Sequence, residues 1–292
     1  MNGQPGIMAP IPRLARYLEF TLLNDEDPKK CLDAVRDHVD GETVVMGVGA
    51  SVASALGAEL DGLRIFTAQS GPGVEVPSTP MALWFWLRHH DRGDHVHATH
   101  ILAGSLAPAF QLDQVIDAFQ HGDSRDLTGY EDGTENPEGD EAVEAGFVQG
   151  RGPGLDGSSF VAVQQWVHDL GHFKGMPQHE QDHVFGRRLS DNEEIEDAPV
   201  SAHVKRTEQE SFNPEAFILR RSMPWASAEA EGLVFVAFGK SFDAFEVMLN
   251  RMVGKEDGIT DALFRFTRPV TGAYFWCPPV VDGRPDLSAL GL

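Results

Sequence analysis

The chain has 292 residues and a mass of 31.9 kDa, which is enough for one large domain or two ordinary ones. Its 45 acidic side chains outnumber 23 basic ones and leave a formal charge of −22, which argues against a protein that wraps nucleic acid or adsorbs to an anionic membrane. The longest apolar runs, such as residues 81–87, are far shorter than the roughly 20 residues that span a bilayer.

The rest of the composition is typical of a globular protein with reduced thiols. With 41% hydrophobic residues and five Trp, the chain can bury a large core. Two cysteines, Cys31 and Cys277, can build neither a disulfide framework nor a cysteine zinc site. The N-terminal sequence lacks a basic start followed by an apolar stretch, so no secretory signal is visible and we expect a cytoplasmic protein.

The apolar patterning of the first half predicts strands separated by helices. In chain order we expect a strand at 16–23, a helix at 28–39, strands at 43–49 and 82–88, and a helical stretch at 93–119 that breaks near Pro108. Asp25 or Asp27 is available to cap the first of these helices.

The second half opens after residues 150–157, which are rich in glycine, proline and aspartate and form the best linker candidate. There we expect strands at 160–167, 216–221, 232–239 and 272–277, a polar helical stretch near 178–187 and a helix at 241–252. Each half is therefore assigned the order strand–helix–strand–strand–helix–strand of a ferredoxin-like unit. We predict an α+β fold of two ferredoxin-like domains with antiparallel sheets, at residues 1–145 and 146–292.

Two motifs of the first half have plain structural explanations. Residues 47–52 (GVGASV) resemble the start of a dinucleotide fingerprint, but the third glycine and the later acidic residue are missing, so a glycine-rich turn is favoured. Five histidines lie close together in the sequence and could in principle hold a metal: His89, His90, His95, His97 and His100. Because two of them follow a strand and the others begin a helix, a surface turn is the favoured interpretation.

Residues 129–137 (GYEDGTENP) concentrate carboxylates, glycines and a proline. Asp-Gly and Asn-Pro form turns, and the segment could be an interdomain loop. Loops of this composition also approach ligands closely, so the composition alone leaves both interpretations open.

Three ordered segments together resemble one protein family. Residues 129–137 are similar to the GxxDG motif of the dye-decolourising peroxidases, residues 201–206 (SAHVKR) to the segment of their proximal haem histidine, and residues 219–225 (LRRSMPW) to their distal arginine strand. Further segments resemble the bacterial B-type branch: 164–170, 179–181, 192–195 and 264–274. The resemblance implies two ferredoxin-like domains, with one haem b per chain bound in the C-terminal domain.

The resemblance also implies roles for individual residues. His203 would ligate the haem iron, and Asp261 would accept a hydrogen bond from it, the alternative being that Asp261 caps a short helix. On the distal face, Asp132 would move a proton of the peroxide, Arg220 would stabilise charge on the departing oxygen, and Ser222 would order a water.

The remaining implied contacts lie at the rim of the haem. Arg206 would pair with a propionate, and Gly133, Thr134 and Glu135 would run along the haem edge. Aromatic side chains near these segments could relay electrons to the surface or could simply be packed in the core: Trp166, Trp225, Trp276, Tyr130 and Tyr274.

The implied activity is a haem peroxidase that reduces hydrogen peroxide and oxidises dyes, phenolics or similar one-electron donors through a ferryl (compound I) intermediate. Homo-oligomers are usual in such a family, and residues 286–292 match an encapsulin-targeting extension too faintly for packaging to be expected. Two other classes stay open: a protein that carries haem or releases its iron, and an interaction module without a cofactor.

Overall fold

The computed structural model describes residues 2–23 and 26–292. The strands are β1 (Leu14–Leu22), β2 (Val44–Val48), β3 (Gln69–Gly71), β4 (Val74–Val76), β5 (Leu83–Leu87), β6 (Phe110–Phe119), β7 (Ser159–His168), β8 (Leu219–Arg220), β9 (Met223–Ala226), β10 (Glu231–Gly239), β11 (Thr267–Pro269), β12 (Ala273–Cys277), β13 (Val280–Val281) and β14 (Arg284–Pro285). The helices are α1 (Pro5–Met8), α2 (Lys29–Arg36), α3 (Ala50–Ala55), α4 (Arg92–Leu106), α5 (Gly139–Gly146), α6 (Leu170–Gly175), α7 (Gln178–Phe185), α8 (His203–Arg206) and α9 (Asp243–Met252).

Eight of the strands form two four-stranded antiparallel sheets of the same topology, and β3–β4 and β13–β14 are separate two-stranded sheets. In the first half the neighbours run β2–β5–β1–β6, and in the second half they run β12–β7–β10–β9. In both sheets the first and third strands lie in the centre and the second and fourth at the edges, which is the ferredoxin-like arrangement. The sheets join at both edges, through the pairs Trp276–Val48 and Ala118–Trp225, so the neighbours form a closed ring.

Alternating residues of the strands divide the core into two clusters. On β5, Trp84 and Trp86 join a cluster with Tyr17, Phe238 and Phe275 that draws its strands from both sheets. The residues between them on β5 belong to the larger cluster that the helices cover. This two-residue period is typical of a strand that is buried on both faces. Because the inner face of the second sheet packs against the first sheet, a site on the second sheet can form on its outer face.

The structure corrects one predicted element. Residues 93–119 do not form a broken helix: α4 ends at Leu106, and residues 110–119 are the edge strand β6. The error arose because Leu112, Ile116 and Phe119 follow one another at helical spacing. A bulge opposite β1 places an extra residue, Asp113, in β6. Burial still alternates along the strand, but Gln114 is polar at a half-buried position and Val115 is apolar at an exposed one, so the hydropathy does not follow that alternation.

Smaller differences concern the ends and continuity of elements. At the start of α2, Asp27 accepts a hydrogen bond from the backbone N–H of Lys29 at 3.0 Å, whereas Asp25 lies outside the described residues. The strand expected at 216–221 is shortened to β8, after which Arg221 donates its backbone N–H to Val236 at 2.8 Å. The strand β9 follows beyond the expected range. The domain boundary near residue 145 stays a prediction, and it falls within α5. Within the described residues, no helix is both long and apolar enough to cross a membrane.

Candidate active site

A cavity of about 260 Å³ lies on the outer face of the second sheet and is lined by four of the nine predicted site residues. Leu233 and Phe235 of β10 form part of its apolar wall, and Met248, Leu249 and Met252 of α9 form another part. His203, Asp132, Glu135 and Arg220 line the same cavity. The tertiary structure therefore brings together residues from the loop after β6, from α8 and from β8.

His203 begins α8 and is held by a buried carboxylate. Its Nδ1 lies 2.7 Å from Oδ2 of Asp261, whose side chain is completely buried. The other oxygen of Asp261 accepts a hydrogen bond from the backbone N–H of Leu263 at 2.8 Å, so this residue both orients the histidine and caps a short 3₁₀ helix. None of the described residues hydrogen-bonds Nε2 of His203. An imidazole tied at Nδ1 presents its Nε2 lone pair to a ligand.

Asp132 and Arg220 form an ion pair in the cavity wall. Nη1 of Arg220 lies 3.4 Å from Oδ1 of Asp132, and both side chains are about one-fifth exposed. A permanently charged guanidinium next to a carboxylate combines a cation with a proton acceptor. The pair thus places a positive charge and a proton acceptor side by side in the cavity wall.

The loop of Asp132 is fastened to β8 by a residue for which sequence reasoning predicted no role. The side-chain amide of Asn136 accepts from the backbone N–H of Arg220 at 2.8 Å and donates to the carbonyl of Arg220 at 3.0 Å. Gly133 permits the turn, with a positive φ of 80° and Nδ2 of Asn136 at 2.9 Å from where a Cβ would stand. In the sequence this asparagine belongs to the motif GYEDGTENP, in which the Asn-Pro pair predicts a turn but no contact with a strand.

The other predicted residues differ in whether they line the cavity. Glu135 lines it and forms an ion pair with Arg187. Thr134 is exposed and accepts a hydrogen bond from Asn192 at 3.0 Å. Ser222 is buried outside the main cavity, where it lines a small adjoining cavity of about 10 Å³ together with Asp132.

The structure places Arg206 away from the cavity. Its guanidinium is buried and makes two hydrogen bonds with Asp257, at 2.7 and 2.8 Å, and a third with the carbonyl of Arg251 at 2.7 Å. Among the described residues, the Lys and Arg side chains that line the cavity are Arg187 and Arg220. Sequence reasoning missed Arg187 because its segment carried no recognised arginine motif.

The histidine run and the glycine motif of the first half do not form sites. Within the described ranges, no group of three or more His, Cys, Asp or Glu residues is arranged to hold a metal ion. Burial, followed by the adjacent His89, lowers the pKa of His95 to about 4, so this histidine is a neutral core residue. Gly49 is explained by packing, because a Cβ there would stand 2.0 Å from the carbonyl oxygen of Met81.

The aromatic candidates for electron relay divide into two groups. Trp166 and Tyr130 line the cavity, and Trp225 donates its indole N–H to the carbonyl of Trp166 at 3.0 Å. Trp276 is fully buried, and Tyr274 stacks on Phe242 in the core. The first group has the position that a relay needs, whereas the second is explained by packing alone.

Comparison with known proteins identifies the family. The family model "Dyp-type peroxidase, C-terminal" matches residues 123–282, more than half of the chain. A dye-decolorizing peroxidase of Rhodococcus erythropolis is 30% identical over 96% of this chain and 88% of its own length. The chain belongs to the Dyp-type peroxidase family. It is therefore an oxidoreductase that uses peroxide as electron acceptor.

Solved structures of Dyp-type peroxidases share the fold. A dyp-type peroxidase protein from Shewanella oneidensis is 29% identical with a TM-score of 0.88, covering 98% of this chain and 96% of its own. A DypB variant from Rhodococcus jostii RHA1, solved in complex with heme, is 26% identical with a TM-score of 0.84, covering 94% and 95%. The encapsulated DyP-type peroxidase from Mycobacterium smegmatis is 25% identical with a TM-score of 0.85, covering 95% and 96%. The predicted fold class of this Dyp-type peroxidase is confirmed, and the similarity to DypB agrees with the B-type resemblance.

Proposed function

We propose that this peroxidase binds one haem b per chain in the cavity, with His203 as the iron ligand. The observation that carries the proposal is that Nδ1 of His203 is held by buried Asp261 while the same cavity contains the Asp132–Arg220 pair. The donor set fits haem, since an oriented imidazole is a suitable axial ligand and the apolar wall suits a porphyrin. When bound, haem supplies an iron that takes up oxidising equivalents from peroxide and passes them to electron donors. The heme complex of DypB supports this assignment.

Asp132 and Arg220 then have distinct tasks. One oxygen of hydrogen peroxide must lose a proton, and the other must gain one to leave as water. A carboxylate oxygen of Asp132 takes the first proton and returns it to the departing oxygen. The guanidinium of Arg220, charged at every accessible pH, stabilises the negative charge that develops there. Ser222 borders the small cavity beside Asp132 and would order a water for this transfer.

The rim of the cavity supplies further contacts to the cofactor. Arg187 lines the cavity, so we infer that it, rather than Arg206, is the guanidinium available to a haem propionate. Gly133 and Glu135 lie in the loop that contributes Asp132 and would follow the edge of the cofactor. Thr134, exposed and bonded to Asn192, would support this loop from outside.

The reducing substrates would be one-electron donors that react outside the cavity or at its mouth. Five glutamates line the cavity: Glu131, Glu135, Glu194, Glu208 and Glu210. The relatives' name supports dyes as one class of donor. A net charge of −22 together with this acidic lining favours cationic donors over anionic ones.

Cytoplasmic residence, homo-oligomer formation and absence of encapsulin packaging also stay predictions. On the last point, Leu287 and Leu290 are buried in the larger core cluster, so the segment 286–292 is packed against the protein rather than free as a peptide. Both cysteines are free and buried, which accords with a reducing compartment.

Absorbance spectroscopy with two sets of variants tests the function. The wild-type protein should show a Soret band, and His203→Ala should lose it. Asp132→Ala with Arg220→Ala should retain the band but abolish the fast spectral change that peroxide causes in a stopped-flow experiment. A protein that only carried haem would have no such change to lose. Unchanged peroxide reactivity in the double variant would refute the roles of Asp132 and Arg220.

A further inference from the structure

A buried imidazole–carboxylate pair lies in the cavity wall, outside the residues assigned so far. Nε2 of His168, at the end of β7, lies 2.9 Å from Oδ1 of Asp126, and Nδ1 lies 2.6 Å from Oγ1 of Thr267. All three side chains line the cavity, and the imidazole is almost completely buried. They come from the loop after β6, from β7 and from β11, so the tertiary structure alone assembles them.

The hydrogen bonds around His168 allow two protonation states. Burial alone would raise the pKa of Asp126, but hydrogen bonds from His168 and Thr128 outweigh it and hold the pKa below its usual value. Asp126 is therefore a carboxylate, and Nε2 of His168 must donate to it. Oγ1 of Thr267 also lies 3.1 Å from the carbonyl oxygen of Val167, which can only accept.

The position of one hydroxyl proton decides the charge of the imidazole. When Thr267 donates to Val167, Nδ1 of His168 must donate to Thr267, and the ring is an imidazolium. When the hydroxyl turns toward Nδ1, the ring is neutral. Both states leave each ring nitrogen hydrogen-bonded with the heavy atoms in place, so the pocket can hold the ring with or without a second proton.

The pair connects to the residue proposed to handle the peroxide proton. Asp126 and Asp132 belong to the same loop, and both line the small adjoining cavity of about 10 Å³. That volume is about the space of one water molecule, so one water can link the two carboxylates. Among the described residues, Asp126 is the titratable side chain that hydrogen-bonds the imidazole, and Asp132 and Arg220 are charged groups of the same cavity.

We propose that His168 and Asp126 form a proton reservoir for Asp132, an inference that rests on the peroxidase function proposed above. Reduction of one hydrogen peroxide to two waters consumes two electrons and two protons. The donors supply the electrons, and the protons must reach the cavity. The imidazolium passes its Nε2 proton to Asp126 while Asp126 passes a proton through the small cavity to Asp132, and the ring that remains is the neutral Nδ1–H tautomer, still hydrogen-bonded to Thr267. A proton from solvent water then restores the imidazolium.

The protonation state can be measured independently of turnover. We would record imidazole ¹H–¹⁵N spectra of the full, haem-bound chain, reduced under carbon monoxide so that the iron is diamagnetic. One imidazole protonated on both nitrogens at pH 7 should be present in the wild type and absent in His168→Gln. In Asp126→Asn, which lacks the carboxylate charge, the same ring should become neutral. A neutral His168 in the wild type at pH 5–7 would overturn the proposal.

The pH dependence of kcat tests whether His168 supplies a proton during turnover. Glutamine can keep both hydrogen bonds but cannot carry a proton, so His168→Gln should lower kcat about 10-fold at pH 8 and much less at pH 5. Exposed His172→Gln on α6 is the matched control and should follow the wild-type pH profile. If His168→Gln does not fold, Thr267→Val should reproduce the alkaline loss, whereas Thr267→Ser, which keeps the hydroxyl, should restore activity.

The outcomes separate the two proposals. If the pH profiles of His168→Gln and Thr267→Val match that of the control while peroxide turnover is normal, the reservoir is refuted and the peroxidase assignment stands. If the wild type shows no Soret band or no peroxide turnover, the proposed function itself fails, and the same spectra recorded on the haem-free chain still report the charge of His168.

Discussion

The side-chain amide of Asn136 pairs with the backbone of Arg220 in both directions, at 2.8 and 3.0 Å. The two residues are 84 positions apart, and Asn136 stands four residues after Asp132. The 3.4 Å separation between Arg220 and Asp132 therefore depends on a contact that involves neither functional side chain. Asn136 is a positioning residue that holds the loop and the strand in register.

Removal of the Asn136 amide should displace the Asp132–Arg220 pair but should leave haem bound. Asn136→Ala leaves the backbone N–H and C=O of Arg220 without partners and should cost about 1–3 kcal/mol of unfolding free energy. Because small displacements slow reactions strongly, the stopped-flow reaction with peroxide should be about 10- to 100-fold slower. The Soret band should remain.

Two further variants separate positioning from general destabilisation. Asn136→Asp can accept from the N–H of Arg220 but cannot donate to its carbonyl, so it should be at least as slow as Asn136→Ala. Asn250→Ala on α9 removes an amide that has no side-chain partner among the described residues and should react like the wild type. An Asn136→Ala enzyme with wild-type peroxide kinetics would contradict the assigned role.

Asp261 should control the electron density available at His203. Asp261→Asn loses the negative charge and keeps one acceptor oxygen, which can accept from Nδ1–H of His203, while the amide NH2 then replaces the oxygen that accepts from the backbone N–H of Leu263. We expect bound haem with a higher reduction potential, and a peroxide reaction about 10- to 100-fold slower, as for other partners of metal-bound histidines. Spectroelectrochemical titration measures the potential. Exposed Asp282→Asn is the control, and an equal potential in both variants would exclude this role.

Glu19 should make folding less favourable at alkaline pH. Burial, followed by the nearby charge of Asp113, raises the pKa of Glu19 to about 7 from an ordinary 4.5. The folded chain therefore keeps a proton that the unfolded chain releases, and stability falls by about 3 kcal/mol as pH rises through this window. Urea unfolding should show that, between pH 5 and pH 8, the unfolding free energy of Glu19→Gln rises by about this amount relative to that of the wild type. Exposed Glu59→Gln should show no such rise in unfolding free energy. The prediction would be contradicted if the unfolding free energies of Glu19→Gln and the wild type changed equally with pH.

The charge of the donor should determine its rate at low salt. Because the chain and the cavity lining are acidic, a cationic dye should have a kcat/KM at least about 10-fold above that of a matched anionic dye, and added salt should reduce the ratio. Glu208→Gln with Glu210→Gln should weaken the preference. Glu75→Gln with Glu144→Gln, an equal change of charge far from the cavity lining, should affect it less. Faster oxidation of the anionic dye would show that local arginines override the net charge.

Arg187 and Arg206 should differ in what their loss affects. Arg187→Ala should speed the loss of haem to apomyoglobin, because Arg187 lines the cavity. Arg206→Ala should leave haem loss unchanged and lower the unfolding free energy, because Asp257 loses its buried partner. Faster haem loss in Arg206→Ala alone would restore the original assignment from the sequence.

The sequence by itself determined the family and several of the elements. Strands such as β5 and β10 were predictable because their apolar runs are continuous and bounded by polar turns. The motif residues Asp132, His203 and Arg220 were identified from short segments, and the structure places all three at one cavity. The strand β6 was missed because polar Gln114 and apolar Val115 break the alternation of hydropathy that would have indicated a strand.

Only the tertiary structure decided which side chains meet. That Arg206 pairs with Asp257, that Asn136 holds Arg220, and that His168 bonds Asp126 could not be read from local patterns. A period of two or 3.6 residues reports which face of an element is buried, whereas a hydrogen bond between distant residues depends on how elements from both halves of the chain pack. The functional residue types of the site could therefore be identified from short motifs, whereas its geometry depends on contacts that exist only after folding.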